Sequence, residues 1–163
     1  MSLSDDVVLR DMLPADRNFI LKSILQHYRH GSPHVKQIPD AIYFDNHHYL
    51  IGKVMRFPNN VVRIAALKDD PEIVFGFIWA NFDPETVHYI YVKRAFRRMG
   101  LGRLLFRSVF DENVDVYYTH HTKDAAFLSH KFDQMIFNPY LLNGDLWKLT
   151  QPEGEADRRS SRM

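Results

Sequence analysis

Cysteine is absent from the 163 residues, which removes disulfides, thiolate metal ligands and a cysteine nucleophile from consideration. No uninterrupted apolar run approaches the roughly 20 residues that span a bilayer. The opening Met1-Ser2-Leu3-Ser4-Asp5-Asp6 lacks the basic stretch and apolar core of a secretory leader. The expected setting is the cytoplasm, without a membrane. An excess of one charge is missing too: 21 Lys and Arg against 20 Asp and Glu leave a net charge of +1, so there is no overall pull toward nucleic acid. Nine histidines invite a metal, but His47-His48 and His120-His121 are adjacent pairs whose side chains point apart on any regular element. They lack the i,i+4 spacing of a helical zinc site, and no metal is expected.

What is present is a hydrophobic content of 45%, enough for one domain to bury a core unaided. Residues 1–150 read as that domain. Residues 151–163, almost without apolar side chains, read as a polar flexible tail. Glycine is sparse, at seven residues, yet Gly100 and Gly102 stand two apart in Arg97-Arg98-Met99-Gly100-Leu101-Gly102-Arg103. This turn joins a strand-like run, Val87 to Val92, to a helix-like run, Leu104 to Phe110. A helix start offers unpartnered N–H groups and positive potential to an anion, and glycine lets the backbone approach it closely or take positive φ. Two familiar glycine loops do not fit. Leu105 stands where a dinucleotide fingerprint needs a third small residue, and the Gly-Lys-Ser/Thr ending of nucleotide hydrolases is missing.

The elements follow from periodicity and turn signals. Val7 to Arg10 reads as a strand, and Pro14 suits the entrance of a helix whose apolar positions are Phe19, Ile20, Ile24, Leu25, His27 and Tyr28, stopped at Gly31. Pro39-Asp40 opens a second helix ending near Gly52, with Ile42, Tyr43, Tyr49 and Leu50 as buried candidates. Val61 to Leu67 and Ile73 to Phe82 form a hairpin, and Thr86 to Val92 a third strand of the meander. The helix after the glycine turn runs to about Phe110. Val114 to Thr119 is a strand, 124–132 a helix, and Met135 to Leu142 and Leu146 to Thr150 are strands flanking the turn signal Asn143-Gly144-Asp145. Pro139 marks an edge or bulge in the former.

Arg-x-x-Gly-x-Gly, preceded by Ile90-Tyr91-Val92-Lys93-Arg94-Ala95-Phe96, resembles the acetyl-CoA signature of the GNAT superfamily of N-acetyltransferases. The order β-α-α-β-β-β-α-β-α-β-β is the one that family uses, so the resemblance spans about residues 7 to 150. It implies an α/β fold, more fully an α+β mixed sheet, mostly antiparallel and splayed between its fourth and fifth strands. It also implies acetyl-CoA as acyl donor and a primary amine of a protein, peptide or small molecule as acceptor. By the same resemblance Arg97, Arg98, Gly100, Leu101, Gly102 and Arg103 hold the cofactor, mainly through backbone N–H groups. Ile90, Tyr91 and Val92 receive the pantetheine arm, with the Ile90 N–H toward the thioester oxygen. Nothing in the sequence indicates a homodimer.

Deprotonating a lysine-like amine at neutral pH costs about 4.6 kcal/mol, so a base or water chain is useful. The family often places a glutamate at the slot that is Thr86 here, with Glu85 one position away. Thr86 cannot act as a base. By strand alternation His88 shares the face of Thr86 and is the preferred catalytic candidate, with a merely structural histidine as its rival and a bulge as the condition that would revive Glu85. The family's helix pattern Asn-x-x-Ala-x-x-(Leu/Phe)-Tyr-x-Lys aligns with Thr122 to Lys131. Thr122 takes the Asn slot as a further cofactor contact, and Ser129 takes the slot of the tyrosine that serves as general acid. Ser129 is the second catalytic candidate, and its departure from pattern leaves a non-catalytic acyl-CoA-binding module open. The arginines from 97 to 107, with Lys93 and Arg94, leave open an acyltransferase for nucleic-acid amines. His30, His34, His47 and His48, with Tyr43 and Tyr49, fall where the family forms its acceptor pocket.

Overall fold

The computed structural model describes residues 3–131 and 134–143. Its strands are β1 (Val7–Asp11), β2 (Asn60–Leu67), β3 (Val74–Asn81), β4 (Thr86–Val92), β5 (Val116–Tyr118) and β6 (Met135–Phe137). Its helices are α1 (Arg17–Gly31) and α2 (Asp40–Val54) between β1 and β2, α3 (Leu101–Arg107) after β4, and α4 (Lys123–Lys131) after β5. The six strands lie side by side in chain order. β1 to β4 pair antiparallel, whereas β4–β5 and β5–β6 are parallel. The two parallel steps are crossovers through α3 and α4, as parallel neighbours require.

Each face of the sheet carries its own apolar layer. α1 and α2 cover Val62, Ile64, Phe77, Trp79 and Tyr89. On the opposite face α3 packs Leu101 and Leu105 on Ile78, Ala80 and Val87. β3 is buried along its whole length, which explains its nearly continuous apolar sequence. Each fully buried side chain of the size of Ile24 or Phe77 contributes about 1.5–3 kcal/mol.

α1 is fixed at its entrance by a bidentate pair. Arg10 of β1 donates from both terminal nitrogens to the two Asp16 oxygens at 2.7 and 3.0 Å, and the Leu13 N–H donates to the same carboxylate at 2.7 Å. The Arg10 guanidinium, above all, holds the Asp16 carboxyl below its ordinary range. This anchor sets the depth at which Ile20, Ile24 and His27 meet the sheet.

Several expectations are corrected. In α2 the inward face is Tyr43, His47, Leu50, Ile51 and Val54, at helical spacing. Ile42 and Tyr49 are 55% and 70% exposed, because they fall a quarter turn or more off that face. β6 stops at Phe137, and Pro139–Leu142 turns as a 3-10 helix, since Pro139 has no N–H to continue a ladder. α3 closes at Arg107 rather than Phe110, though Phe110 N–H still bonds to the Phe106 carbonyl at 2.9 Å. β5 is three residues long instead of six. The strand expected at Leu146 to Thr150 and the tail lie outside the described residues.

Candidate active site

The functional geometry begins where β4 and β5 part. Their ladder holds only Thr86 with Tyr117 and Val87 with Tyr118, extended by Thr119 N–H to the Val87 carbonyl at 3.3 Å. Beyond Val87 no strand among the described residues pairs with this edge of β4, while its other edge stays paired to β3 as far as Val92. The gap is a cavity of about 80 Å³ lined by His27, Val87 to Ile90, Tyr118, His120, Thr122, Asp124, Ala125, Leu128 and Met135. At roughly 30 Å³ per water, that is room for an acyl head of a few heavy atoms.

Gly76 sets the backbone of the upper half of β4. A Cβ built on Gly76 would lie 2.4 Å from the Tyr91 carbonyl oxygen, so only glycine lets β3 and β4 approach this closely. At the top, Lys93 N–H bonds to the Phe75 carbonyl at 2.9 Å, and the chain enters the glycine turn. Arg98 and Gly100 hold φ of 62° and 82°. Among the described residues, apart from the adjoining backbone of the turn and of α3 itself, no atom lies within 4 Å of a Cβ built on Gly100 or on Gly102. Space is therefore open above the start of α3, and the turn's exposed backbone suits a phosphate ester.

The arginines around the turn are not equivalent. Arg97 Nε donates to the Val92 carbonyl at 2.9 Å, closing the turn on the end of β4. Arg103 and Arg107 both donate to Glu112 Oε1, at 2.8 and 2.6 Å, and Arg107 first, then Arg103, holds that carboxylate down at about 2. The basic stretch is thus partly neutralised from within the protein, which weakens the case for a polyanion such as nucleic acid.

β4 carries a bulge. Trp79 pairs with Tyr89 but Ala80 with Val87, leaving His88 as the extra residue and ending simple alternation. His88 and Tyr89, neighbours in sequence, both border the Trp79 layer. This corrects the reading of His88 as an accessible base. It is 3% exposed, with Nε2 at 2.9 Å from Asn81 Oδ1 and Nδ1 at 3.0 Å from Thr119 Oγ1, and burial lowers its pKa to about 3. Glu85, the alternative, lies at the foot of β4, where its carbonyl accepts from Tyr117 N–H.

A single hydrogen-bond polarity satisfies the buried chain that runs through His88. Asn81 Nδ2 donates to the Pro58 carbonyl at 3.1 Å and Asn60 Nδ2 donates to Asn81 Oδ1 at 2.7 Å, so that oxygen can only accept from His88 Nε2–H. Neutral His88 then accepts at Nδ1 from the Thr119 hydroxyl, and Thr119 accepts from His120 Nδ1–H at 2.9 Å. His120 Nε2 is left to accept from His47 Nε2–H, also at 2.9 Å. Side chains thus continue across the splay the tie between β4 and β5 that the backbone abandons at Val87, and extend it to α2. Among the described residues no three His, Asp or Glu side chains converge as metal ligands.

The remaining polar walls of the cavity come from three other elements. His27 of α1 meets Tyr89 of β4, with Nδ1 and Oη 2.5 Å apart. Asp124 and Thr122 come from the start of α4, where Thr122 Oγ1 accepts from Ala125 N–H at 3.1 Å as a helix cap. Ser129 Oγ donates to the Ala126 carbonyl at 2.9 Å within its own helix and does not line the cavity, unlike Leu128 beside it. A serine reaches far less than a tyrosine, and its hydroxyl bonds back one turn instead. Four residues that the sequence did not single out for catalysis, His27, Tyr89, His120 and Asp124, therefore surround the gap. His27 stands at helical spacing among apolar neighbours and Tyr89 within an aromatic strand, so neither carries a local signal of chemistry.

Residues 21–124 match the family model of the acetyltransferase (GNAT) family. The chain belongs to the GNAT acetyltransferase family. The GNAT fold recurs in solved structures of low sequence identity. A candidate acetyl transferase of Pyrococcus furiosus is 12% identical with a TM-score of 0.55, covering 96% of this chain and 91% of that one. A possible acetyltransferase of Clostridium difficile 630 is 14% identical with a TM-score of 0.52, covering 78% and 88%. A GNAT-family acetyltransferase of Staphylococcus aureus Mu50 is 14% identical with a TM-score of 0.50, covering 77% and 82%. No curated protein matches the chain. Among the described residues of this GNAT domain, no helix is long and apolar enough to cross a membrane.

Proposed function

We propose that this GNAT protein is an acetyl-CoA-dependent N-acetyltransferase that moves an acetyl group to a primary amine by direct attack on the thioester. One observation carries the reading: the unpaired edge of β4 beyond Val87 leads straight into a glycine turn with open space above Gly100 and Gly102. Arg97, Arg98, Gly100, Leu101, Gly102 and Arg103 take the diphosphate, chiefly through peptide N–H groups. The edge of β4 at Ile90, Tyr91 and Val92 that no described strand covers takes the pantetheine arm, and Thr122 closes the far wall. An N–H at Ile90 directed at the carbonyl oxygen stabilises the negative charge that develops there. Residues 1–150 act as one acyltransferase domain.

His88 enters this reading as a positioning residue, holding Thr119 and His120 at the cavity wall, and Ser129 enters as a helix residue. Mixing the protein with acetyl-CoA and a panel of amines (lysine methyl ester, spermidine, a lysine-containing peptide) tests the proposal by thiol release. Amine-dependent CoA production is the expected outcome. CoA binding without turnover of any amine would favour a non-catalytic acyl-CoA module, and no binding of CoA at saturating concentration would end both readings.

A further inference from the structure

The cavity holds one pair of titratable groups in direct contact that the family signature does not account for. Tyr89 Oη and His27 Nδ1 are 2.5 Å apart, and both residues line the gap where the thioester is proposed to lie. Tyr89 is buried and His27 half-buried. Their rings meet edge to face with centroids 5.7 Å apart, and the Tyr91 ring holds the imidazole from a second side at 5.5 Å. Both rings are thereby held by aromatic packing as well as by the hydrogen bond between them.

We propose that Tyr89 and His27 form the proton-accepting pair of the acyl transfer, with the Tyr89 hydroxyl facing the amine and His27 Nδ1 behind it. This inference rests on the acetyltransferase reading. The amine enters neutral, and its lone pair forms the N–C bond while the C–S electron pair leaves with the CoA sulfur. One nitrogen proton passes to Tyr89 Oη as the Tyr89 proton passes to His27 Nδ1. The imidazolium then returns a proton through the same hydroxyl to the thiolate, so the products are the amide and the free thiol and the pair is restored.

The resting protonation states agree with this direction of transfer. Burial raises the Tyr89 phenol above its ordinary range and, with Arg97 and His30, lowers His27, against a smaller upward pull from Asp124. At neutral pH the pair is therefore a phenol donating to the lone pair of a neutral imidazole. The groups that face His27 are Tyr89 and Tyr91 of β4, Asp124 of α4, Arg97 of the glycine turn and His30 of its own helix. Asp124, also on the cavity wall, is the one that favours the imidazolium while it carries the proton.

Tyr89→Phe keeps the ring and deletes the hydroxyl, and His27→Gln keeps a polar group in place of the base. Each is expected to lower kcat by about 10²-fold with CoA affinity within twofold of wild type. The double variant should be no worse than either single one, because the two act as a unit. The acidic limb of the wild-type kcat profile should vanish in His27→Gln. In the free protein, nitrogen NMR should find the hydrogen of His27 on Nε2, with the Nδ1 resonance shifting in Tyr89→Phe. Undiminished turnover by Tyr89→Phe or His27→Gln in a preparation whose wild type acetylates amines would overturn the pair alone. A hydrogen resident on Nδ1 would do the same without any turnover measurement. A wild type that binds CoA yet acetylates nothing would instead defeat the function reading, and the pair with it.

Discussion

Gly100 and Gly102 stand two positions apart yet answer to different constraints. Gly100 holds φ of 82°, where an L side chain is strained whatever room surrounds it, whereas Gly102 lies inside α3 with ordinary helical geometry and open space around its absent side chain. Alanine at 100 should cost about 1–2 kcal/mol of stability. Alanine at 102 should stabilise the free protein by roughly 0.5–1 kcal/mol, since glycine is a poor helix residue, while its methyl intrudes on the space proposed for the diphosphate. Thermal melts beside CoA titrations should show stability and affinity moving in opposite directions for Gly102→Ala. Affinity unchanged in that variant would mean that the open space is not where CoA lies. Gly100 and Gly102 were legible in the sequence because a turn's backbone needs are local. The contact between His27 and Tyr89 was not, because it joins residues 62 apart in the chain, each of which looks apolar in its own neighbourhood.

At the scale of elements, the bulge and the splay do the positioning. The bulge at His88 is invisible to a period-two reading, since it arises from how β4 registers against Trp79 and Ala80 of β3 rather than from any residue in β4. Gly76 belongs to the same device, because its missing Cβ lets the Tyr91 carbonyl sit where it does. Gly76→Ala should destabilise the protein by about 1–3 kcal/mol through forced separation of the strands, measurable as a lower urea midpoint. It should also weaken CoA binding, because the displaced backbone is the edge offered to the pantetheine arm. An unchanged midpoint would show that the two strands yield without cost. The order of elements was readable from apolar periodicity and from Pro and Gly punctuation. Their ends were less so: Pro139 stopped β6 where a strand of eight was expected, and β5 kept half its length because its neighbour on one side diverges.

The molecule as a whole carries an acid sensitivity written into its buried histidines. Desolvation lowers His88 to about 3 and His47 to about 4, and it also lowers His120, with smaller downward pushes from His47 and His88. Because these folded values lie below the unfolded value near 6.5, the unfolded chain binds more protons between about pH 6.5 and pH 4. Stability is full above that window and falls as pH drops through it, by on the order of 1.4 kcal/mol per pH unit for each such histidine. Urea unfolding from pH 7.5 to 4.5 should show a steep decline that flattens in His88→Gln, where one of the three groups is gone. A slope unaltered by that substitution would place the sensitivity elsewhere.

The sequence by itself determined the kind of molecule this is: the glycine turn, the order of strands and helices, and through them the GNAT fold. Those features depend on residues near one another in the chain, where sterics and periodicity act directly. Which side chains meet in the cleft was decided only in three dimensions. The bulge withdrew His88 into a hydrogen-bonded core, the gap between β4 and β5 opened a space that α1 and α4 border, and packing brought His27, Tyr89, His120 and Asp124 around it from elements that share no local pattern.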